Sequence, residues 1–276
     1  MPTDFIHLTF SDLLIAGTLM ILNGVLSIAL RLRLEREMLI ATLRMIVQLY
    51  LVGLVLIALF HMGSLLWTSL AALAMILFAG HEIMARQDRR LKGFWSYGLG
   101  TGCMLFSASL VTIFALSTQL RPDPWFDPQY SIPILGMILG NTMTGISLGL
   151  DHLTTSLVRE RGSVEAQLAL GHTRQEALRP IVHTALRSAM MPILNIMATA
   201  GLVALPGMMT GQIVAGIAPM EAVKYQVLIM FLIAGGTAVG SVMAVFGGVY
   251  RLTDSRHRLR LDRLHLPKRK RKRMKK

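Results

Sequence analysis

The chain has 276 residues, 53% of them hydrophobic and 16% charged, with a mean hydropathy of +0.56 and a formal net charge of +13 at neutral pH. That balance is too apolar for a soluble domain of ordinary composition, and the chain reads as an integral membrane protein. The single cysteine, Cys103, excludes an intramolecular disulfide and a thiolate metal cluster built within one chain.

A helix crossing the roughly 30 Å hydrocarbon core needs about 20 apolar residues. Seven windows meet or approach that length: Ser11–Leu30, Met38–Phe60, Ser64–His81, Ser96–Ser117, Ile132–Leu150, Ser188–Leu205 and Ala222–Tyr250. The expected fold class is an all-α polytopic membrane protein, with a transmembrane domain over residues 1–250 and a basic cytoplasmic tail over 251–276. The first window is longer than a secretory signal core and carries Asp4 and Asp12 at its start in place of basic residues, so it reads as a retained span. The connection Arg31–Arg44 alternates charge with Leu32, Leu34, Met38, Leu39 and Leu43, which predicts an amphipathic helix running into the second span.

Within the second span Arg44 and Gln48 lie one helical turn apart on one face. They could line a cavity or meet a dimer partner, and Arg44 could equally snorkel to the headgroups. His81 and Glu82 close the third span as neighbours, and adjacent helical residues do not face one another, which makes them a poor cation site. Between the fourth and fifth spans, Arg121–Pro128 is a proline-rich loop with Trp125 and Phe126 suited to the membrane interface. Five glycine pairs at four-residue spacing, Gly98/Gly102, Gly136/Gly140, Gly145/Gly149, Gly207/Gly211 and Gly236/Gly240, predict close helix packing within or between subunits.

The basic residues fix an expected orientation. With seven spans, 26 of the 28 Lys and Arg fall on one face, leaving Arg121 and Lys224 opposite beside Asp4, Asp12, Asp123, Asp127 and Glu221. The positive-inside rule then puts the N-terminus outside and the C-terminus in the cytoplasm. On the cytoplasmic side, Val164–Pro180 (VEAQLALGHTRQEALRP) interrupts the apolar sequence. Read as a helix, Ala166, Ala169 and Leu170 form an apolar strip while Glu165, Arg174 and Glu176 stay polar and Gly171 breaks the middle. Such a segment is either an ordinary amphipathic helix or an element that lies in a cleft on a partner.

This segment resembles the coupling element of ABC transporter permeases, whose pattern of Glu-Ala-Ala followed at a short distance by Gly is matched by Glu165, Ala166 and Gly171, with Gln167 in place of the second Ala. Further stretches resemble the FetB-type iron-export permeases: Gly136–Met143 (GMILGNTM), Gly201–Gly216 (GLVALPGMMTGQIVAG), and Ala222–Leu228 (AVKYQVL) followed by Ser255-Arg256-His257. The resemblance implies a permease homodimer in a bacterial cytoplasmic (inner) membrane, joined to a separately encoded ATPase that binds ATP and Mg and drives export. It places ATPase coupling on Glu165, Ala166, Leu170, Gly171 and Arg174.

The sequence has no Gly-x-x-x-x-Gly-Lys-Ser/Thr phosphate loop, so no nucleotide cofactor is expected in this chain and ATP is hydrolysed by the partner. For the pathway, Pro206 and Gly207 are expected to break the sixth span near the outer surface, with Leu205, Met208, Met209 and Asn141 nearby as pathway or gate residues. Thioethers suit soft metals better than hard ones, so Met208 and Met209 do not by themselves select iron, and pliable packing beside a gate accounts for them. No metal site is expected from His152, His172 and His183, whose spacing matches no ligand pattern. The tail Pro267–Lys276 (PKRKRKRMKK) reads as attracted to anionic lipid, not nucleic acid. Competing classes are an ion-gradient-driven transporter, for which no acidic residue sits at the membrane midplane, a membrane-embedded enzyme, for which no catalytic cluster is present, and an ABC permease for a cargo other than iron.

Overall fold

The structure, a computed structural model, describes residues 9–254 and 258–265. Helix α1 spans Phe10–Ala29, α2 Glu35–Met62, α3 Leu65–Arg86 and α4 Trp95–Phe114, the last continued by a π turn over Ala115–Leu120. Then follow α5 (Pro128–Arg159), α6 (Arg161–Ala169), α7 (Arg174–Thr199), α8 (Gly207–Val214) and α9 (Pro219–Leu252). Among the described residues there is no strand, only isolated bridges. Seven of these helices, all but α6 and α8, are long and apolar enough to cross a membrane.

The seven predicted windows fall on these seven helices, and the differences lie at their ends. Of the amphipathic helix expected over Arg31–Arg44, the part from Glu35 is helical and runs unbroken into the second span as α2, whereas Arg31 and Arg33 adopt positive φ and lie ahead of it. The sixth window is expected over Ser188–Leu205, yet α7 begins at Arg174 and stops at Thr199, so Leu205 is outside it. Its early start has a local cause, since Thr173 and Glu176 close a capping box that nucleates the helix ahead of its apolar part. It ends where Ala200 turns to extended backbone and Gly201 takes φ +84.

Helices α5 and α9 form the centre. Helix α5 packs on α3, α4, α7 and α9, and α9 in turn on α4, α7 and α8. The approach is close because glycines face side chains. A Cβ on Gly240 would stand 2.6 Å from Thr142 Cγ2 and 2.9 Å from Ser107 Oγ, and one on Gly145 2.7 Å from Thr237 Cγ2 and 3.1 Å from the Ala189 carbonyl oxygen. Of the five predicted pairs, Gly145/Gly149 and Gly236/Gly240 are packed within this chain, whereas a Cβ on Gly207 or Gly211 would meet nothing within 4 Å. Helices α1 and α2 stand at the edge, with only 6% of their most apolar stretch buried. An apolar surface left outward is costless in lipid, where tails are as apolar as leucine.

A second apolar cluster closes the end of the bundle where the basic loops gather. It joins Leu91 from the α3–α4 loop, Leu153 and Leu157 from α5, Val164 from α6, Leu178 and Ile181 from α7, Leu252 from α9, and Leu264. The sequence sets residues 251–276 apart as a basic tail, but α9 carries on to Leu252 and residues 258–265 fold back onto this cluster. Pro267–Lys276, the stretch expected to meet anionic lipid, lie outside the described residues, as do Ser255, Arg256 and His257.

Candidate functional site

The α6–α7 turn is the most fully built feature at this basic end. Helix α6 turns Val164, 3% exposed, into the second cluster, with Leu168 packed partly against it. On its other side Ala166, Ala169 and Leu170 are all exposed, Leu170 to 79%. The apolar strip expected from the sequence is therefore present, and none of the described residues covers it.

Both helix ends at this turn are capped. Gly171 takes φ +91 and donates its N–H to the Leu168 carbonyl at 3.2 Å, while His172 N–H reaches the Gln167 carbonyl at 3.2 Å. That pair of bonds is a Schellman ending, which favours glycine because a side chain would strain the left-handed residue. Two residues on, the Thr173 N–H donates to Glu176 Oε2 at 2.8 Å and the Glu176 N–H to Thr173 Oγ1 at 3.3 Å, closing the capping box of α7. The result is a fixed corner that projects Leu170. Glu165 accepts from Arg161 Nε at 2.7 Å within α6, and Arg174 is half-buried at the start of α7.

At the opposite end, Pro206 and Gly207 do not interrupt a span. They start α8: Pro206 is its N-cap and Gly207 its first residue, after the chain has already left α7 at Thr199. Met208 packs against the main core and Met209 donates its N–H to Gln226 Oε1 on α9 at 3.3 Å. The buried Gln226, which ties α8 to the core helix, escaped the sequence reading, although a lone amide within an apolar run was the available signal. Leu205 is exposed. Asn141 donates to the Met137 carbonyl one turn back at 2.9 Å, so its amide serves its own helix, and no hydrogen bond among the described residues joins it to α8.

Arg44 on α2 pairs with Glu82 on α3, which also lies 4.0 Å from Arg86 Nε. Gln48, expected to line a cavity or a dimer face with Arg44, is exposed on the same face of α2; the two line one open groove with Glu37, Ala41 and Met45, and Gln48 does not share the ion pair. Glu82 thus belongs with a cation from another helix and not with its neighbour His81. Among the described residues no three of His, Cys, Asp and Glu come together as a metal site would require. His152 instead meets Ser156 Oγ at 3.3 Å and His172 the Gln167 carbonyl at 3.2 Å.

Seven apolar helices about a glycine-packed core, with a capped corner at their basic end, define a multi-pass helical membrane protein. The chain belongs to the family described as "Uncharacterised protein family (UPF0014)", whose model matches residues 10–253. It is 36% identical over 251 residues to the rice "UPF0014 membrane protein STAR2", covering 87% of this chain and 85% of that protein. It is 33% identical over 235 residues to the Arabidopsis thaliana "Protein ALUMINUM SENSITIVE 3", covering 84% and 82%. With the Escherichia coli "Probable iron export permease protein FetB" it shares 30% identity over 262 residues, 94% of this chain and 97% of that one. No solved structure matches it.

Proposed function

We propose that this protein is the membrane-spanning permease subunit of an ABC exporter, working as a homodimer with a separate ATPase subunit that binds ATP and Mg. The observation that carries this reading is the exposed strip Ala166, Ala169 and Leu170 on a corner capped from both sides. An apolar knob held rigidly outside the membrane gains nothing in water, and a partner's cleft is what it fits. The coupling role goes to Ala166, Leu170 and Gly171, which shape the knob. Glu165, already bonded to Arg161, keeps α6 helical and meets the partner only from its rim. In this reading the basic end of the bundle is cytoplasmic, in accord with the positive-inside rule, and the membrane is the inner membrane of a bacterium.

Iron is the cargo favoured, on the strength of the Escherichia coli relative's name over almost the full length of both chains. A different metal-related cargo is the second reading, favoured by the Arabidopsis relative, whose name refers to aluminium. The test of the class is purification of the tagged chain from its native membrane followed by mass spectrometry. An ATPase subunit in near-stoichiometric amount supports the exporter; its reproducible absence from intact, folded protein would favour a gradient-driven transporter.

A further inference from the structure

Residues 258–265 form a strap across the basic end of the bundle. Arg260 N–H donates to the Leu252 carbonyl at 2.8 Å and Arg263 Nη1 to the Arg251 carbonyl at 2.8 Å, which fastens the strap to the end of α9. Lys92 N–H donates to the Arg263 carbonyl at 2.7 Å and His265 N–H to the Arg90 carbonyl at 2.8 Å, which fastens it to the α3–α4 loop. Between those two bonds Leu91 and Leu264 stand opposite as an antiparallel pair, each 2% exposed. Their side chains enter the same apolar cluster as Val164 and Leu168 of α6 and Leu178 and Ile181 of α7. Outside the cluster, Arg260 forks onto both oxygens of Asp262 at 2.9 Å, which holds that carboxyl well below the usual carboxylate range and keeps the strap's own turn closed.

We propose that Leu264 is a positioning residue for energy coupling, holding the α6–α7 corner at a fixed place relative to the α3–α4 loop and α9. The proposal rests on the reading of that corner as the ATPase-docking element. Its physical basis is the size of α6. A helix of nine residues is marginal alone, Val164 is its one buried residue, and among the helices it packs on α5 and α7. A push on Leu170 therefore moves the bundle as a unit only if the cluster behind α6 is filled, and the strap fills its far side. Without Leu264 the corner still docks, but the cluster behind α6 is loosened and part of the push is lost within it.

The test uses the permease co-purified with its ATPase in lipid nanodiscs, with ferrous iron as the probe and ATP hydrolysis as the readout. Leu264→Ala is expected to leave the ATPase subunit bound and hydrolysis without iron unchanged, while iron-stimulated hydrolysis falls by about twofold to thirtyfold, the range over which residues along a coupling route act. Leu264→Met, which conserves volume, restores it. A second variant guards against loss of folding: Leu91→Cys with Leu264→Cys and Cys103→Ala. Directly opposed antiparallel residues between flanking hydrogen bonds stand close enough for a disulfide, and its oxidation is expected to keep stimulation at the wild-type level while reduction lowers it. A normal stimulated rate per complex in Leu264→Ala, or no response of the double cysteine to its redox state, overturns the positioning role. Wild-type protein that purifies without an ATPase or gains no stimulation from iron overturns the underlying reading instead.

Discussion

Arg44 and Glu82, 38 residues apart in sequence, are joined across α2 and α3 by an ion pair. It is the one ion pair that ties the α1–α2 hairpin to the rest of the bundle among the described residues. Removing Glu82 leaves Arg44 without its partner in a membrane helix, and removing Arg44 leaves Glu82 only the 4.0 Å approach of Arg86, whereas removing both costs less. Arg44→Leu and Glu82→Leu are each expected to lower the thermal stability of the protein in nanodiscs, and the double variant to recover part of the loss. The cycle should show a coupling on the order of 1 kcal/mol. Strictly additive losses would mean that the pair does not hold the hairpin.

The crossing of α5 and α9 supplies a second prediction. Gly240→Val forces branched atoms against Thr142 and Ser107, which the would-be Cβ already crowds at 2.6 and 2.9 Å. Overpacking of this kind costs about 1–3 kcal/mol, so the melting temperature should drop clearly. Gly102→Ala, with nothing within 4 Å of the added carbon, should be tolerated. Equal effects of the two would show that the glycine contacts are not those of the folded protein.

At the other end of the bundle, Gln226 matters more than the two methionines beside it. Gln226→Leu leaves the half-buried Met209 N–H without its side-chain acceptor, and the loss is expected toward the lower end of the roughly 1–3 kcal/mol that a fully buried unsatisfied donor costs. Met208→Leu with Met209→Leu keeps that backbone bond and the packing, so export should survive. Melting curves and transport assays on the two variants check the order. Loss of metal export with normal assembly in the methionine pair would give those thioethers a role in the pathway.

Gly171→Pro removes the N–H that donates to Leu168 and cannot reach φ +91. The corner should reopen while α5 and α7 remain inserted, so the protein is expected in the membrane at normal amount but uncoupled. Gly171→Ala keeps the N–H and meets only the left-handed penalty of about 1–2 kcal/mol, so it should couple partially. Substrate-stimulated hydrolysis unchanged in Gly171→Pro would remove the corner from the mechanism.

The spans were legible in the sequence because hydropathy is a local sum, and the exposed strip Ala166, Ala169 and Leu170 because it follows helical spacing. The ends of α7 were not, since its start is set by a capping box at Thr173 and its stop by the backbone at Ala200 and Gly201. Neither lies in the apolar window that announced the span. The Arg44–Glu82 pair was hidden for another reason: it joins different helices, and no local period relates them. The strap was masked by its charge. Arg258, Arg260 and Arg263 make the segment read as a solvated tail, while Leu259, Leu261 and Leu264 between them carry the packing that a count of leucines could have found.

In the exporter proposed above, the α6–α7 corner docks an ATPase through Leu170. The direct measurement is the amount of ATPase subunit retained per permease after gentle purification of wild-type protein and of Leu170→Asp, with the melting temperature of each permease recorded alongside. Leu170 is exposed, so its replacement should leave the fold intact. Near-stoichiometric ATPase is expected on the wild type, with most of it lost from Leu170→Asp at an unchanged melting temperature. Equal retention by both proteins would contradict docking through Leu170.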